Sequence, residues 1–123
     1  MSKVILIVED EAVVALATAD LVSALGHTVL GPAESFDEAM SLAANTLPEL
    51  ALVDIRIRGE IDGIETARHL QESHGCSIVF VTGQTDASTR QRAEALNPIY
   101  YLRKPFTPEQ LSEAVRLGLA ARK

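Results

Sequence analysis

The chain has 123 residues, of which 47% are hydrophobic and 23% are charged, and this length and composition predict one globular domain. Its formal net charge of −6 repels phosphate backbones and anionic lipids, so direct binding to nucleic acid or to a membrane is not expected. No apolar stretch approaches the roughly 20 residues of a membrane span. Residues 1–3 lead straight into a predicted strand instead of a signal peptide, which favours a cytoplasmic location.

Five short apolar runs without polar alternation predict strands that are buried on both faces of a parallel sheet. They comprise residues 4–8, 28–30, 50–54, 78–81 and 99–102. Gly31 and Pro32 follow the second run and predict the end of that strand.

Helical patterns separate the apolar runs. Four helices are predicted over residues 11–25, 35–45, 62–73 and 87–95. Ser35 and Glu38 have the spacing of a capping box, and a fifth helix starts at Pro108 after the N-cap Thr107. The fourth helix offers few apolar side chains, so we expect it to be the most mobile. Gly118 weakens the last helix by about 1 kcal/mol relative to Ala and predicts fraying of its final turn.

The first predicted helix carries apolar residues around more of its circumference than one core-facing stripe requires. One interpretation is a helix that is well buried between the sheet and its neighbours. The other is that Val13, Val14 and Ala17, which lie close to the preceding acidic residues, form an exposed docking patch for a partner protein. The sequence leaves both interpretations open.

Alternating strands and helices predict a doubly wound α/β fold with three layers, for which the flavodoxin-like sheet order 2-1-3-4-5 is the natural arrangement. In open parallel sheets of this kind, ligands bind at the carboxyl ends of the strands. We therefore expect the polar residues that follow the strands to converge on one site. These residues are Glu9, Asp10, Asp54, Thr82 and Lys104.

Carboxylates gathered at one point repel one another unless one is protonated or a cation lies among them. Mg²⁺ suits such a site, because it binds one or two carboxylates and completes its coordination with waters and a phosphoryl oxygen. Asp54 can then act as a nucleophile toward phosphorus. Thr82 and Lys104 are placed to meet the charge of the transferring phosphoryl group.

Over essentially its whole length the chain resembles the receiver domain of bacterial two-component response regulators. The resemblance is carried by Glu9-Asp10, Asp54, Asp62-Gly63, Thr82 and the segment Tyr101-Leu102-Arg103-Lys104-Pro105-Phe106. It implies one receiver domain over residues 1–123 with no effector domain, which signals by protein binding or acts as a phosphate shuttle. The phosphoryl group would pass to Asp54 from a phosphohistidine of a histidine kinase or a histidine phosphotransfer protein, and a monomer is favoured.

The resemblance also implies the ligands of the metal ion. Mg²⁺ would be bound by Asp10, Asp54 and the backbone carbonyl of Arg56, with Glu9 contributing through water. The chain would catalyse its own phosphorylation and a slow autodephosphorylation at Asp54.

The remaining implied roles concern the phosphoryl group and the response to it. Thr82 and Lys104 would contact the phosphoryl group, and Tyr101 would change rotamer on activation. The peptide bond between Lys104 and Pro105 is expected to be cis.

Glu9 and one loop depart from the common pattern of the family, in which Asp is more usual than Glu at the first position of the acidic pair. The loop over residues 57–61 lacks the frequent Pro and is one residue longer than usual, which leaves its course open. The sequences of residues 80–83 and 105–107 are similar to those of an alphaproteobacterial single-domain subfamily named for its Phe-Ala-Thr-Gly motif.

Other functions are compatible with the same fold. The main alternative is a protein-interaction module that works without phosphorylation. A phosphatase of the haloacid dehalogenase type usually has a second Asp two residues after the nucleophile, where this chain has Arg56. A flavodoxin-type flavin site would favour hydroxyl groups and glycines after the first strand, where this chain has acids.

Overall fold

The computed structural model describes residues 2–83 and 86–121 and contains five strands that alternate with five helices. The strands are β1 (Val4–Val8), β2 (Thr28–Ala33), β3 (Leu50–Asp54), β4 (Ser77–Thr82) and β5 (Tyr100–Arg103). The helices are α1 (Ala12–Ala24), α2 (Phe36–Asn45), α3 (Gly63–His74), α4 (Ala87–Glu94) and α5 (Pro108–Ala120). No helix in the described ranges is long and apolar enough to cross a membrane.

The strands form one parallel sheet in the order β2-β1-β3-β4-β5, which confirms the predicted fold. Side chains of each strand alternate between two cores. Leu6 and Val8 join the core beneath α2 and α3, whereas Ile5 and Ile7 join the core beneath α1 and α5. The central strand β3 is buried along its whole length, as predicted for a strand covered on both faces.

The second strand is longer than the sequence predicts. It continues through Gly31 and Pro32 to Ala33, so the prediction that this pair ends the strand is wrong. β2 lies at the edge of the sheet, where a proline without an N–H is tolerated. Gly31 has a φ of +98°, and an added Cβ would lie 2.9 Å from the carbonyl oxygen of Ile7, so glycine is required there.

The predicted helix caps are present. The side chain of Ser35 accepts a hydrogen bond from the backbone N–H of Glu38, although the Glu38 carboxylate accepts from the N–H of Glu34. Thr107 forms a complete capping box with Gln110 at the start of α5.

The first helix is not well buried, so the interpretation that its apolar composition reflects burial between the sheet and its neighbours is wrong. Its sheet-facing side is a narrow stripe of Ala15, Thr18 and Val22. Val13 and Leu16 are exposed to 82% and 65%. Two of the three buried residues are small, whereas Val13 and Leu16 remain on the outer surface.

The fourth helix has little apolar contact with the rest of the protein. Ala93 is the one buried residue within Ala87–Glu94, as the polar composition predicts. By contrast, Gly118 in α5 is buried, and a Cβ added there would lie 2.7 Å from a methyl group of Leu50. Its absent side chain therefore allows close packing of α5 on β3, a role that the expectation of fraying did not include.

Candidate functional site

A pocket of about 310 Å³ opens at the carboxyl ends of β1, β3, β4 and β5. It is lined by Asp10, Glu11, Asp54, Arg56, Thr82, Gly83 and Lys104. The predicted convergence of polar residues is therefore present in the structure. It arises because parallel strands end at the same edge of the sheet.

Asp54 is the last residue of β3 and is 5% exposed. Its Oδ1 atom accepts a hydrogen bond from the backbone N–H of Arg56 at 3.1 Å, and its Oδ2 atom lies 2.9 Å from Nζ of Lys104. Two donors therefore hold the carboxylate in one orientation at the base of the pocket.

Lys104 connects β5 to the acidic residues. Its backbone N–H donates to the carbonyl oxygen of Thr82 at 2.8 Å, and the peptide bond that follows it is cis, as expected. Its Nζ atom lies 2.9 Å from a carboxylate oxygen of each of Glu9, Glu11 and Asp54. Burial alone would lower the pKa of Lys104, but the hydrogen bonds to these three carboxylates raise it above its ordinary value.

Glu9 is the most buried acid of the site, with 4% of its surface exposed. Its Oε2 atom accepts from the backbone N–H of Glu11 at 3.1 Å. Burial, together with the neighbouring Asp54 carboxylate, raises the pKa of Glu9 to about 7, although the hydrogen bond from Lys104 opposes the shift. Three carboxylates also face a single ammonium group here, and a bound cation would offset the remaining negative charge.

Oxygen atoms of Glu9, Glu11 and Asp54 lie within 4.8 Å of one another, as in a metal site, but Nζ of Lys104 contacts an oxygen of each of them, so a metal ion held by all three would have to replace the ammonium group. A set of carboxylate oxygens fits a hard cation such as Mg²⁺ better than a softer transition metal. Asp10, predicted as a ligand, lines the same pocket but does not belong to this close group.

Glu11 is a residue of the site that the sequence reasoning missed. It is the third acid of the run that follows β1, at the position where the sequence predicts the start of the first helix. It is indeed the N-cap residue of α1, but its side chain makes no capping hydrogen bond and contacts Lys104 instead. Its position directly after the acidic pair was the available signal.

Thr82 and Tyr101, the two predicted switch residues, lie in different surroundings. Thr82 ends β4, is 5% exposed and lines the pocket beside Gly83. Tyr101 is half-buried between β4 and α4, with its ring 5.9 Å from that of Phe80. The guanidinium group of Arg90 lies 4.1 Å from the ring centroid, and the Tyr101 hydroxyl donates to the backbone oxygen of Arg90 at 3.5 Å.

The loop after β3 links the pocket to two helices. Arg58 pairs with Ser35 in an isolated parallel β-bridge and forms an ion pair of 3.0 Å with Glu34. These contacts define the course of the loop over residues 57–61, which the sequence left open. At the far end of the loop, Asp62 accepts from the backbone N–H of Glu65 and thereby caps α3. The same carboxylate pairs with Arg92 of α4 at 3.0 Å.

The residues proposed for partner docking lie on the outer surface of α1. Val13 and Ala17 are exposed and Val14 is half-buried. Leu16, which the sequence reasoning did not include, extends the same surface. We call these four residues the α1 patch. The patch adjoins a groove of about 450 Å³ in which Asp10 of the acidic site takes part.

Most of the chain matches the model of one known protein family. The family model described as response regulator receiver domain matches residues 5–116. The chain belongs to this family. Receiver domains accept phosphoryl groups in two-component signalling, and they interact with kinases or phosphotransfer proteins and with downstream proteins.

Among similar proteins, the phyllosphere-induced regulator PhyR of Methylorubrum extorquens is 31% identical over 97% of this receiver domain. The transcriptional regulatory protein PdtaR of Mycobacterium tuberculosis is 29% identical over 94% of it. The chain spans 44% of the length of PhyR and 56% of the length of PdtaR. It thus corresponds to about half of each relative.

Solved structures show the same fold. The signal receiver domain of a modulated diguanylate cyclase from Desulfovibrio desulfuricans G20 matches with a TM-score of 0.92 and 35% identity, over 98% of this chain and 95% of that one. A response regulator from Chloroflexus aurantiacus J-10-fl, described as putative, matches with a TM-score of 0.86 and 28% identity, over 98% of this chain and 99% of that one.

Proposed function

We propose that this receiver domain takes a phosphoryl group onto Asp54 from a phosphohistidine of a histidine kinase or a histidine phosphotransfer protein. An Asp54 oxygen forms the new bond to phosphorus while the bond from phosphorus to the histidine nitrogen breaks. That nitrogen keeps the electron pair and takes up a proton. The observation that carries the proposal is the Asp54 carboxylate, oriented at the base of an open pocket and in contact with Lys104.

The proposed metal site comprises Glu9, Asp10, Asp54 and the backbone carbonyl of Arg56, with Glu11 beside them. The close oxygens of Glu9 and Asp54, and the excess of carboxylates over the one ammonium group of Lys104, support a further cation beside them. Bound Mg²⁺ supplies a Lewis acid that offsets the charge of the phosphoryl oxygens. In the proposal these carboxylates hold the ion, and Asp54 remains the nucleophile.

Two side chains are proposed to contact the phosphoryl group. Thr82 lines the pocket from the end of β4, and Lys104 lines it from the position directly after β5. A hydroxyl donor and a cation on neighbouring strands meet the developing charge from two directions. Slow loss of the phosphoryl group to water would return Asp54 to its free form.

The response is proposed to run through Thr82 and Tyr101. Thr82 ends β4, and Tyr101 pairs with Phe80 in the register between β4 and β5, so the two residues share one pair of strands. Tyr101 also contacts Arg90 of α4. Because α4 buries little apolar surface, a change in the Tyr101 rotamer can shift the helix at small cost in free energy. The output is then binding to another protein, or passage of the phosphoryl group onward.

The α1 patch is proposed as the docking surface for the histidine-bearing partner. Its most exposed apolar side chains, Val13 and Leu16, lie beside the acidic pocket, so a protein seated on them can bring a phosphohistidine to Asp54. The patch is exposed without phosphorylation, and this observation favours the alternative of a phosphorylation-independent interaction module.

Intact-mass measurement after incubation with Mg²⁺ and acetyl phosphate tests the proposal. We expect a gain of one phosphoryl group, about 80 Da, in the native chain and none in Asp54→Asn. Asp20→Asn is the matched control, because it makes the same change at an exposed site on α1 and should keep the gain.

A native chain that gains no mass from acetyl phosphate should next be incubated with a phosphorylated histidine kinase. Failure with both donors would refute phosphoryl transfer to Asp54 and support the interaction module. A gain that persists in Asp54→Asn would place the acceptor elsewhere.

A further inference from the structure

The ammonium group of Lys104 has no free hydrogen-bond donor in this structure. A lysine ammonium carries three donors. Within the described residues, Nζ lies 2.9 Å from oxygens of three carboxylates, those of Glu9, Glu11 and Asp54. A phosphoryl oxygen that is to receive a hydrogen bond from Lys104 must therefore replace one of these carboxylates.

The three contacts differ in how readily they can be exchanged. Glu9 is 4% exposed, so water cannot readily take the place of Lys104 beside its carboxylate. Asp54 is itself the proposed acceptor. The side chain of Glu11 is 63% exposed, so water can replace Lys104 there at little cost in free energy.

The position of Glu11 in the fold also indicates that Glu11 is the carboxylate that gives up its contact with Lys104. Its side chain does not cap α1, so it can move away without the loss of a capping hydrogen bond. Its backbone N–H is already held by Glu9, which keeps the main chain in place when the side chain moves.

We propose that Glu11 is a positioning residue that holds the Lys104 ammonium group in the unphosphorylated receiver and releases it to the phosphoryl group on Asp54. This inference rests on the proposed function. The free energy of the contact between Glu11 and Lys104 favours the unphosphorylated state, so its removal should favour the phosphorylated state. Because the contact is an exposed ion pair, its removal should change the equilibrium constant between the unphosphorylated and phosphorylated states by about two- to fivefold.

The test is a titration of the native chain with fluoroberyllate, a phosphoryl analogue, at saturating Mg²⁺, followed by NMR. The Mg²⁺ concentration that saturates the protein is determined for each variant separately, because Glu11 also adds negative charge near the metal site. Glu11→Gln should bind fluoroberyllate about two- to fivefold more tightly than the native chain. Asp20→Asn makes the same charge change on α1 and should bind like the native chain.

Two further readouts separate positioning from a general structural effect. In the metal-free protein, the side-chain ¹⁵N signal of Lys104 should move in Glu11→Gln and stay in place in Asp20→Asn. In a Lys104→Met background, Glu11→Gln should no longer change the affinity for fluoroberyllate.

Equal or weaker binding by Glu11→Gln, an equal gain in Asp20→Asn, or a gain that persists in the Lys104→Met background would overturn the inference alone. Absence of fluoroberyllate binding by the native chain would overturn the proposed function and this inference with it.

Discussion

Replacement of Gly63 by Ala tests how closely the start of α3 is fitted to the end of β3. Gly63 is the first residue of α3, and its backbone N–H donates to the carbonyl oxygen of Ile55 at 2.8 Å. A Cβ at this position would overlap the carbonyl oxygen of Asp54 and lie 2.8 Å from Cα of Ile55. Both neighbours are backbone atoms, so a rotamer change cannot relieve the overlap.

The expected loss follows from which part can move. β3 is hydrogen-bonded to β1 and to β4, so the start of α3 must shift instead. Overpacking of this kind destabilises proteins by about 1–3 kcal/mol. The shift also strains the cap that Asp62 provides for α3, which is worth about 1 kcal/mol. We expect Gly63→Ala to lower the free energy of unfolding by about 3 kcal/mol, a large share of the ~5–15 kcal/mol of a typical domain.

Urea unfolding followed by circular dichroism measures this loss. Gly118→Ala is the matched control, because its added Cβ meets the ends of the Leu50 side chain and not backbone atoms. Its helix propensity gain of up to ~1 kcal/mol opposes the tighter packing, so its free energy of unfolding should stay within about 1 kcal/mol of the native value. A Gly63→Ala variant as stable as Gly118→Ala would refute the reasoning.

Three further changes have expected outcomes. Arg92→Gln removes the ion pair with Asp62 and should speed amide hydrogen exchange in α4, with less than about 1 kcal/mol lost from global stability. The double change Val13→Ser and Leu16→Ser should alter the free energy of unfolding by no more than about 0.5 kcal/mol, because both side chains are exposed, yet slow phosphotransfer from a kinase. Ser35→Ala removes the cap of α2 and should lower the free energy of unfolding by about 1 kcal/mol in the same urea assay.

The first two of these changes have a matched control in the chain. Arg116→Gln breaks an exposed ion pair within α5 and should leave exchange in α4 unchanged. Val22→Ala truncates a buried residue of α1 and should lower the free energy of unfolding by about 2 kcal/mol without a specific effect on phosphotransfer. Unchanged phosphotransfer in the Val13 and Leu16 double variant would argue against docking on the α1 patch.

The fold and the location of the site were predictable because both depend on local sequence patterns. Buried parallel strands appear as continuous apolar runs, and a polar residue at the end of such a run lies at the ligand-binding edge of the sheet. Asp54, Thr82 and Lys104 were found in this way. Their proposed roles, and the assignment to a Phe-Ala-Thr-Gly subfamily, remain predictions.

The features that were missed depend on contacts between residues distant in sequence. Glu11 joins the site because Lys104 reaches it from β5, 93 residues away. The pair of Asp62 and Arg92 joins residues 30 apart on the surface of two helices. Neither contact leaves a periodic pattern in the sequence.

The sequence did not decide whether the outer side of α1 is buried or exposed, and the reason is different. A helix with apolar residues around most of its circumference fits either full burial or an exposed patch. The choice depends on how much of the helix the neighbouring elements cover, and the structure shows a narrow contact through Ala15, Thr18 and Val22.

The sparse packing of α4 has a consequence for calorimetry. The change in heat capacity that accompanies a conformational or binding event follows the apolar area that is transferred to or from water. A movement of α4 uncovers little beyond Ala93 and part of the Tyr101 ring, so it should leave only a small heat-capacity signature. Covering Val13 and Leu16 with a partner protein removes large apolar side chains from water and should give a distinctly negative change in heat capacity. The temperature dependence of the binding enthalpy can therefore separate docking on α1 from rearrangement of α4.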